Sequence, residues 1–198
     1  MKTVIFIGRS GCGKGTQAKR LIERFGGSTL YLETGERFRH FIAAKENLSS
    51  RLAGEIMVKG GRQPDFLAVW NWSNFFISNL TGQEHLIIDG APRSRPEAET
   101  MDSAFDFYSR RPVAVVYLNV SKDWATERLT ERGRSDDKTS EEIAARFGWF
   151  DDKVMPAVEY YRGNQNYNFA EINGEQSVEL VFAEILSKLK LDVHQAKN

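Results

Sequence analysis

The chain has 198 residues, and its 27 lysines and arginines are balanced by 27 aspartates and glutamates. This length predicts one domain, with room for a small inserted lobe. The balanced charge argues against a nucleic acid or a membrane surface as the main partner.

Cysteine content and hydropathy restrict the class further. Cys12 is the only cysteine, which excludes an intramolecular disulfide and a multi-cysteine metal site. The N-terminal apolar run is too short for the hydrophobic region of a signal peptide, and no stretch approaches the length of a membrane span. We therefore expect a cytoplasmic protein in a reducing compartment.

The first predicted elements form a phosphate-binding arrangement. An apolar run at residues 3–7 predicts a strand, the glycine-rich segment GRSGCGKGTQ follows at residues 8–17, and a helix-prone segment begins at residue 17. Such a loop binds polyphosphate because its backbone N–H groups and the helix N-terminus point at the anion. Lys14 then reaches the terminal phosphates. An ordinary glycine-rich turn is the alternative, and the lysine and the flanking elements argue against it.

Four further apolar runs, at residues 29–32, 84–88, 113–118 and 167–172, alternate with helical patterns. Runs that are apolar on both faces are typical of strands in a parallel sheet covered by helices. We therefore predict an α/β fold with a parallel five-stranded sheet flanked by helices. The helix that begins at residues 64–65 has an apolar, aromatic stripe, which we interpret as core packing rather than a ligand cage; the stripe contains Val69, Trp70, Trp72, Phe75, Phe76 and Leu80.

The segment at residues 35–64, between the second and third predicted strands, is helical and polar. A plain crossover would be shorter. We therefore predict a small movable lobe there.

Two arginines follow neighbouring strands. Arg39 lies in the segment TGERFR at residues 34–39, and Arg93 ends the segment DGAPR at residues 89–93. Open α/β sheets bind ligands at the carboxyl ends of their strands, so both arginines are expected to converge on one anion. Taken alone, either one is more typical of a solvated surface charge.

A third group of arginines lies later in the chain. Arg128 and Arg132 are four residues apart on one helix face, Arg134 lies at a glycine-containing loop tip, and Arg146 falls in the next helix. An amphipathic helix with internal ion pairs is the structural alternative. It leaves the arginines beyond the helix unexplained.

Together these motifs resemble the adenylate kinase family over nearly the entire chain. Gly-Lys-Gly-Thr-Gln resembles the family P-loop, in which a glycine separates the lysine from the hydroxyl residue. Residues 34–39 match its Thr-Gly-x-x-x-Arg monophosphate site, and residues 89–93 resemble its Asp-Gly-Phe-Pro-Arg with alanine for phenylalanine. Residues 134–137 resemble the lid of the short, zinc-free members. The resemblance implies a P-loop NTPase fold: a single kinase domain over residues 1–198, with an NMP-binding lobe at 35–64 and a short lid at about 132–138.

The same resemblance implies residue roles. ATP would be bound by Ser10, Gly11, Cys12, Gly13, Lys14, Gly15, Thr16, Arg128 and Gly174. AMP would be bound by Thr34, Gly35, Arg39, Gly90, Arg93, Glu97, Arg134 and Arg146. The catalytic cations would be Lys14, Arg93, Arg132, Arg134 and Arg146.

The resemblance also implies Mg²⁺, bound as Mg-ATP, with Asp89 orienting its water shell and Thr16 as a candidate ligand. Asp136 and Asp137 would help to close the lid. No zinc is expected, because the lid region contains neither cysteine nor histidine. The implied partners are the small molecules ATP and AMP, and the implied state is a monomer.

Three departures from the family pattern concern the ligand sites. Ser10 replaces the usual P-loop proline, the lid is shorter than in other short-lid members, and Glu97 stands where a glutamine pairs with the AMP base. An ionised carboxylate only accepts hydrogen bonds, so Glu97 either alters base recognition, turns to solvent, or pairs with Arg62 or Arg95. A fourth departure is the pair at residues 62–63, which replaces an apolar pair of the family pattern.

We therefore predict a nucleoside monophosphate kinase that transfers the γ-phosphoryl group of ATP to AMP. One alternative is the same transfer to GMP, CMP or UMP. Another is a nucleotide-binding switch or interaction module without kinase activity. Residues 120–123 do not supply the Asn-Lys-x-Asp motif of a GTPase.

Overall fold

One parallel sheet organises the fold. In this computed structural model, the structure describes residues 1–44, 46–133 and 139–190. Five strands lie in the order β2-β3-β1-β4-β5, and every neighbouring pair is parallel. This confirms the predicted sheet. The strands are β1 Thr3–Gly8, β2 Thr29–Glu33, β3 His85–Asp89, β4 Val113–Asn119 and β5 Tyr167–Asn173.

Helices connect these strands and cover both faces of the sheet. A π-helical turn at Phe150–Val154 joins α7 to α8. Within the described ranges, the α-helices are α1 Lys14–Phe25, α2 Thr34–Ala44, α3 Leu48–Val58, α4 Asp65–Asn79, α5 Arg95–Phe107, α6 Lys122–Arg132, α7 Ser140–Trp149, α8 Met155–Arg162 and α9 Val178–Leu189. In the same ranges, no helix combines the length and the apolar character that crossing a lipid bilayer requires.

The core consists of two layers, one on each face of the sheet. Alternate side chains of a strand point to opposite faces, so Val4 and Phe6 pack with α1 and α9, whereas Ile5 and Ile7 pack with α4, α5 and α8. The three central strands, β1, β3 and β4, are almost wholly buried, which explains their continuous apolar runs. The edge strands β2 and β5 are covered less completely, and Asn168 of β5 is exposed.

The aromatic stripe of α4 is divided between the core and the surface. Trp72 and Phe76 are buried against α5, as predicted for core packing. Trp70 is 43% exposed and instead contacts the ring of Phe41 in α2, with 5.0 Å between the ring centroids. The prediction was therefore wrong for Trp70, because its side of α4 faces α2 and the surface rather than the sheet.

The topology places the predicted ligand motifs at one edge of the sheet, where the strands end. The chain leaves β1 towards β2 on one side of the sheet and leaves β3 towards β4 on the other, which opens a crevice beyond the carboxyl ends of these two strands. α2 begins directly after β2 at Thr34, and Asp89 ends β3. Glu33 and Asp89 are register partners. Three ligand motifs predicted from the sequence therefore begin at this edge.

A buried ion pair fixes the opposite end of β3. Glu84 is 1% exposed and pairs with Arg110, whose Nη1 also donates to the Glu84 carbonyl at 2.7 Å. Burial alone would raise the pKa of Glu84, but hydrogen bonds from the Thr81 hydroxyl and from backbone N–H groups outweigh it and lower the pKa to about 2. The folded state therefore depends on the ionised carboxylate.

We predict that Glu84→Gln destabilises the protein near neutral pH and much less in acid. Because the folded pKa is depressed, the carboxylate stabilises the fold above its unfolded pKa, and this contribution of about 3 kcal/mol is lost between about pH 5 and pH 2. Unfolding free energies should therefore differ strongly at pH 7 and converge towards pH 3. Glu159→Gln, in the exposed pair with Arg162, is the control; equal losses in both variants at pH 7 would contradict the prediction.

Candidate active site

The loop after β1 forms a cradle with Lys14 at its centre. Lys14 Nζ donates to the carbonyls of Gly8 and Arg9 at 2.8 and 2.9 Å. Gly13 precedes α1 with a φ of 93°, a left-handed conformation that favours glycine. Because glycine has no side chain with which to cap the helix, the N–H groups of the first turn are left for an anion.

Asp89 lies against the start of α1. Its side chain is 7% exposed, and Oδ2 accepts a hydrogen bond from the Tyr31 hydroxyl at 3.0 Å. Burial raises the pKa of Asp89, and the charge of Lys14 opposes this shift. The position of a Cβ atom at Gly15 lies 3.5 Å from Asp89 Oδ2. The β3 carboxylate therefore lies beside the glycine that separates Lys14 from Thr16.

A hydrogen-bond network joins the ends of β2 and β3. The Gly90 carbonyl accepts from Thr34 Oγ1 at 2.8 Å and from Arg93 Nε at 2.6 Å. Gly90 has a φ of 83°, and a Cβ atom there would lie 2.8 Å from Thr34 Oγ1. A glycine is needed at this position, which explains its place in the DGAPR segment. The network fixes the direction of the Arg93 side chain.

Arg39 and Arg93 flank Gly35. The Cβ position of Gly35 is 3.5 Å from Arg39 Nη1 and 4.0 Å from Arg93 Nη2. Arg39 also forms ion pairs with Glu33 at 3.2 Å and Glu36 at 2.7 Å. The structure therefore brings the two arginines together, as the sequence predicted. Two guanidinium groups on either side of one glycine form a suitable site for a phosphate.

Trp149 covers Arg93 from the side of α7. The Arg93 guanidinium carbon lies 5.7 Å from the centroid of the Trp149 ring, and Trp149 Nε1 donates to the Gly60 carbonyl at 3.0 Å. Burial lowers the pKa of Arg93, and so does the positive charge of Arg146, while Glu97 opposes the shift. Arg93 and Arg146 are therefore close enough for their positive charges to repel each other.

These groups line one crevice of about 370 Å³, a volume within the range of small-molecule sites. The predicted site residues that line it are Ser10, Gly11, Gly13, Lys14, Gly15, Thr16, Gly35, Arg39, Asp89, Gly90, Arg93, Arg128, Arg132 and Arg146. Arg134, Asp136 and Asp137 lie outside the described residues. Around the crevice, Lys14, Arg93 from the turn after β3, and arginines from α2, α6 and α7 are combined with a buried carboxylate.

Three predicted ATP-binding residues have particular surroundings. Cys12 is 3% exposed. A Cβ atom at Gly174 would lie 2.5 Å from Val120 Cγ1 and 3.6 Å from the Cys12 carbonyl, so Gly174 packs beneath the loop. Arg128 lies over the Trp124 ring, with its guanidinium carbon 3.5 Å from the centroid. One face of this guanidinium is therefore already stacked on an aromatic ring.

Glu97 is buried behind Arg93. It is 2% exposed, and its Oε2 accepts a hydrogen bond from the Arg93 backbone N–H at 2.7 Å. Solvent exposure is therefore excluded, and Arg95 and Arg62 pair instead with Glu99 and Asp65. Burial raises the pKa of the Glu97 carboxyl to about 7, although the Arg93 hydrogen bond and charge oppose this.

Sequence reasoning missed several residues that line the crevice. They are Lys19, Glu33, Phe38, Met57, Gly61 and Trp149. Gln63 also lines it and belongs to the pair at residues 62–63, which the sequence marked as a departure from the family pattern. Two had usable signals: Trp149 lies three residues after Arg146 and so shares its helix face, and Glu33 directly precedes Thr34. Phe38 and Met57 had none, because their roles depend on how α2 and α3 pack.

Comparisons with known proteins agree with this geometry. The family model "Adenylate kinase" matches residues 6–166. An adenylate kinase of Porphyromonas gingivalis is 33% identical over 96% of this chain and 98% of that protein. One from Oenococcus oeni is 31% identical over 89% of this chain and 93% of its own length. Adenylate kinase isoenzyme 5 of Homo sapiens is 30% identical over 95% of this chain, which spans 32% of that protein.

We predict that Glu97→Gln makes the protein more stable relative to the parent as the pH rises. The folded pKa of Glu97 is raised to about 7, so the protonated carboxyl stabilises the fold at low pH and this contribution is lost as pH rises through 7. Glutamine does not titrate. The difference in unfolding free energy should grow by about 3 kcal/mol between about pH 4 and pH 8.

The exposed Glu99→Gln substitution is the control and should leave the pH profile of the parent unchanged. If the unfolding free energies of Glu97→Gln and of the parent change in parallel over this pH interval, Glu97 does not titrate as its burial implies.

Proposed function

We propose that this chain, which belongs to the adenylate kinase family, transfers the γ-phosphoryl group of ATP to AMP and so forms two molecules of ADP. One observation carries the proposal: a P-loop lysine and arginines from three helices and from the turn after β3 line the same crevice. Phosphoryl transfer depends chiefly on positioning and on neutralising charge. A crevice of this composition supplies both.

On the donor side, we propose that ATP phosphates occupy the loop after β1. Lys14 Nζ would exchange the carbonyls that it now contacts for phosphate oxygens. We propose that Arg128 packs on the adenine ring, since it lies over Trp124 and has a second planar face. The carbonyl contacts hold the ammonium group at the loop until a phosphate replaces them.

On the acceptor side, we propose that the AMP phosphate lies between Arg39 and Arg93, beside Gly35. Arg132 and Arg146 line the same crevice and would neutralise the phosphoryl group in transfer. We propose the same role for Arg134. The acceptor is already a phosphate oxygen, so the reaction needs no general base.

The residues present fit Mg²⁺. Asp89 presents a buried carboxylate beside Gly15, and Thr16 lines the same crevice with a hydroxyl group. Oxygen ligands suit this ion, which keeps much of its water shell. Among the described residues, no group of three or more His, Cys, Asp or Glu side chains is placed to hold a metal. We propose that Asp89 orients that water shell, with Thr16 as a further ligand. When bound, Mg²⁺ neutralises charge on the phosphate oxygens.

We also propose that residues 35–64 form the acceptor lobe, that about 132–138 form a short lid, and that the enzyme is a cytoplasmic, zinc-independent monomer. Closure of lobe and lid would exclude water and so suppress ATP hydrolysis.

A coupled assay with ATP and each nucleoside monophosphate in turn tests the proposal. AMP should have the highest kcat/KM. A higher value for GMP, CMP or UMP would favour the same transfer to another acceptor, and nucleotide binding without any transfer would favour a switch or interaction module.

We predict that Lys14→Met nearly abolishes transfer while the protein stays folded. Its ammonium group contacts only loop atoms in this structure, so its loss removes phosphate binding rather than core packing. Turnover and thermal unfolding should be measured together. Lys2→Met, at the opposite end of the sheet, is the control. Turnover near the parental value in folded Lys14→Met would contradict the assignment.

We predict that Arg132→Ala lowers kcat by about 10³-fold or more, the size reported for removal of a charge-stabilising arginine from phosphoryl transfer. Arg128→Ala, one turn earlier on the same helix, should mainly raise the KM for ATP. Steady-state kinetics of both variants separates the two roles. If Arg128→Ala lowered kcat and Arg132→Ala raised the KM for ATP instead, the roles assigned to the two arginines would be wrong.

A further inference from the structure

Gln63 lies in the short segment between α3 and α4 and borders the crevice. The Gly61 backbone N–H donates to the Ile56 carbonyl at 2.9 Å, and a Cβ atom at Gly61 would lie 3.0 Å from the same oxygen. This close approach keeps the segment on α3. Gln63 precedes a proline, which favours an extended backbone. Its side chain is 4% exposed and lines the crevice.

The hydrogen bonds of Gln63 fix the direction of its amide. Nε2 donates to the Ala53 carbonyl at 2.9 Å. A carbonyl oxygen only accepts hydrogen bonds, so the NH₂ group must face Ala53 and Oε1 must point the other way. Oε1 is buried and has no hydrogen-bond partner among the described residues. A buried acceptor without a partner is costly, and a ligand donor would remove that cost.

The neighbours of Gln63 suit a planar ring. Phe38, 3% exposed, and Met57 line the same crevice. The two arginines that flank Gly35 line it too, so one ligand can contact both groups. Apolar walls with a single polar acceptor, next to a phosphate site, match a nucleotide whose base lies against Gln63.

We propose that Gln63 is a specificity-determining residue whose Oε1 accepts a hydrogen bond from the exocyclic amino group of the acceptor base. This inference rests on the proposed transfer to AMP. Adenine offers its 6-amino group as a donor on the major-groove edge, whereas guanine has a carbonyl at that position. Because Nε2 is bound to Ala53, Gln63 presents only an acceptor to the ligand. The 6-oxo oxygen of guanine would therefore face another acceptor, Oε1, and no hydrogen bond would form.

Glu97 is placed differently. It lies in a narrow space behind Gly90, bordered by Thr34 and Gln63, and within the described part of the chain it does not line the main crevice. Its Oε2 is bound to the Arg93 N–H. Gln63 borders both this narrow space and the main crevice, so among these two side chains it is the one that a ligand in the crevice reaches.

The test compares AMP with purine riboside 5′-monophosphate, which lacks the 6-amino group. Equilibrium binding and kcat/KM should be measured for the parent, Gln63→Met and Gln17→Met. The parent should prefer AMP by about ten- to hundredfold, the effect of one buried hydrogen bond. Gln63→Met should lose most of this preference by weakening AMP more than the analogue.

Gln17→Met is a matched control. Gln17 is 3% exposed, its Nε2 donates to the Val178 carbonyl at 3.1 Å, and its Oε1 also lacks a partner among the described residues. The overall rate of the Gln17→Met variant can change, but the preference of this variant for AMP over the analogue should equal that of the parent. Gln63→Leu replaces Gln63→Met if the methionine variant does not fold.

Two outcomes would overturn the proposal: a parent that binds both nucleotides equally, or a Gln63 variant that weakens both by the same factor. The second would mean that Gln63 only holds the lobe through Ala53. A parent that binds AMP but transfers no phosphoryl group would refute the proposed function alone, since the binding comparison still decides the role of Gln63.

Discussion

The central physical constraint is the crowding of positive charge around one crevice. Like charges at close range repel, and the low dielectric of a partly enclosed site strengthens the repulsion. The structure answers with local acceptors: Lys14 donates to two loop carbonyls, Arg93 to the Gly90 carbonyl, and Arg39 pairs with Glu33 and Glu36. Each cation is therefore held in place before any anion arrives. Such preorganisation is what phosphoryl transfer requires.

Several of these acceptors lie at the ends of the sheet strands or directly after them. Glu33 and Asp89 are register partners that end β2 and β3, and Gly90 follows Asp89 directly. The same strand ends that place the arginines also provide the groups that restrain them. The position of Asp89 depends in turn on the register of β3, whose other end is anchored by Glu84 and Arg110. A buried ion pair remote from the crevice thus contributes to its geometry.

The sequence predicted well whatever depends on local pattern and chain order. The five strands, the phosphate-binding loop and the convergence of Arg39 and Arg93 follow from apolar runs and from the rule that strand ends share one edge. Long-range packing was not accessible. The sequence could not decide between three environments for Glu97, because its burial depends on contacts across the Arg93 turn. Trp70 is partly exposed because it lies on the side of α4 that faces α2 and the surface rather than the sheet. The residues 134–138 lie outside the described structure.

Trp149 links the two sides of the crevice in a way that chain order does not reveal. It donates to Gly60, at the end of the segment that carries Gln63, and its ring lies beside Arg93. The partners are 89 residues apart for the first contact. A cation next to an aromatic ring is stabilised without a counter-charge that would compete with phosphate. Trp149 therefore joins the segment between α3 and α4 to α7 and packs beside the Arg93 guanidinium.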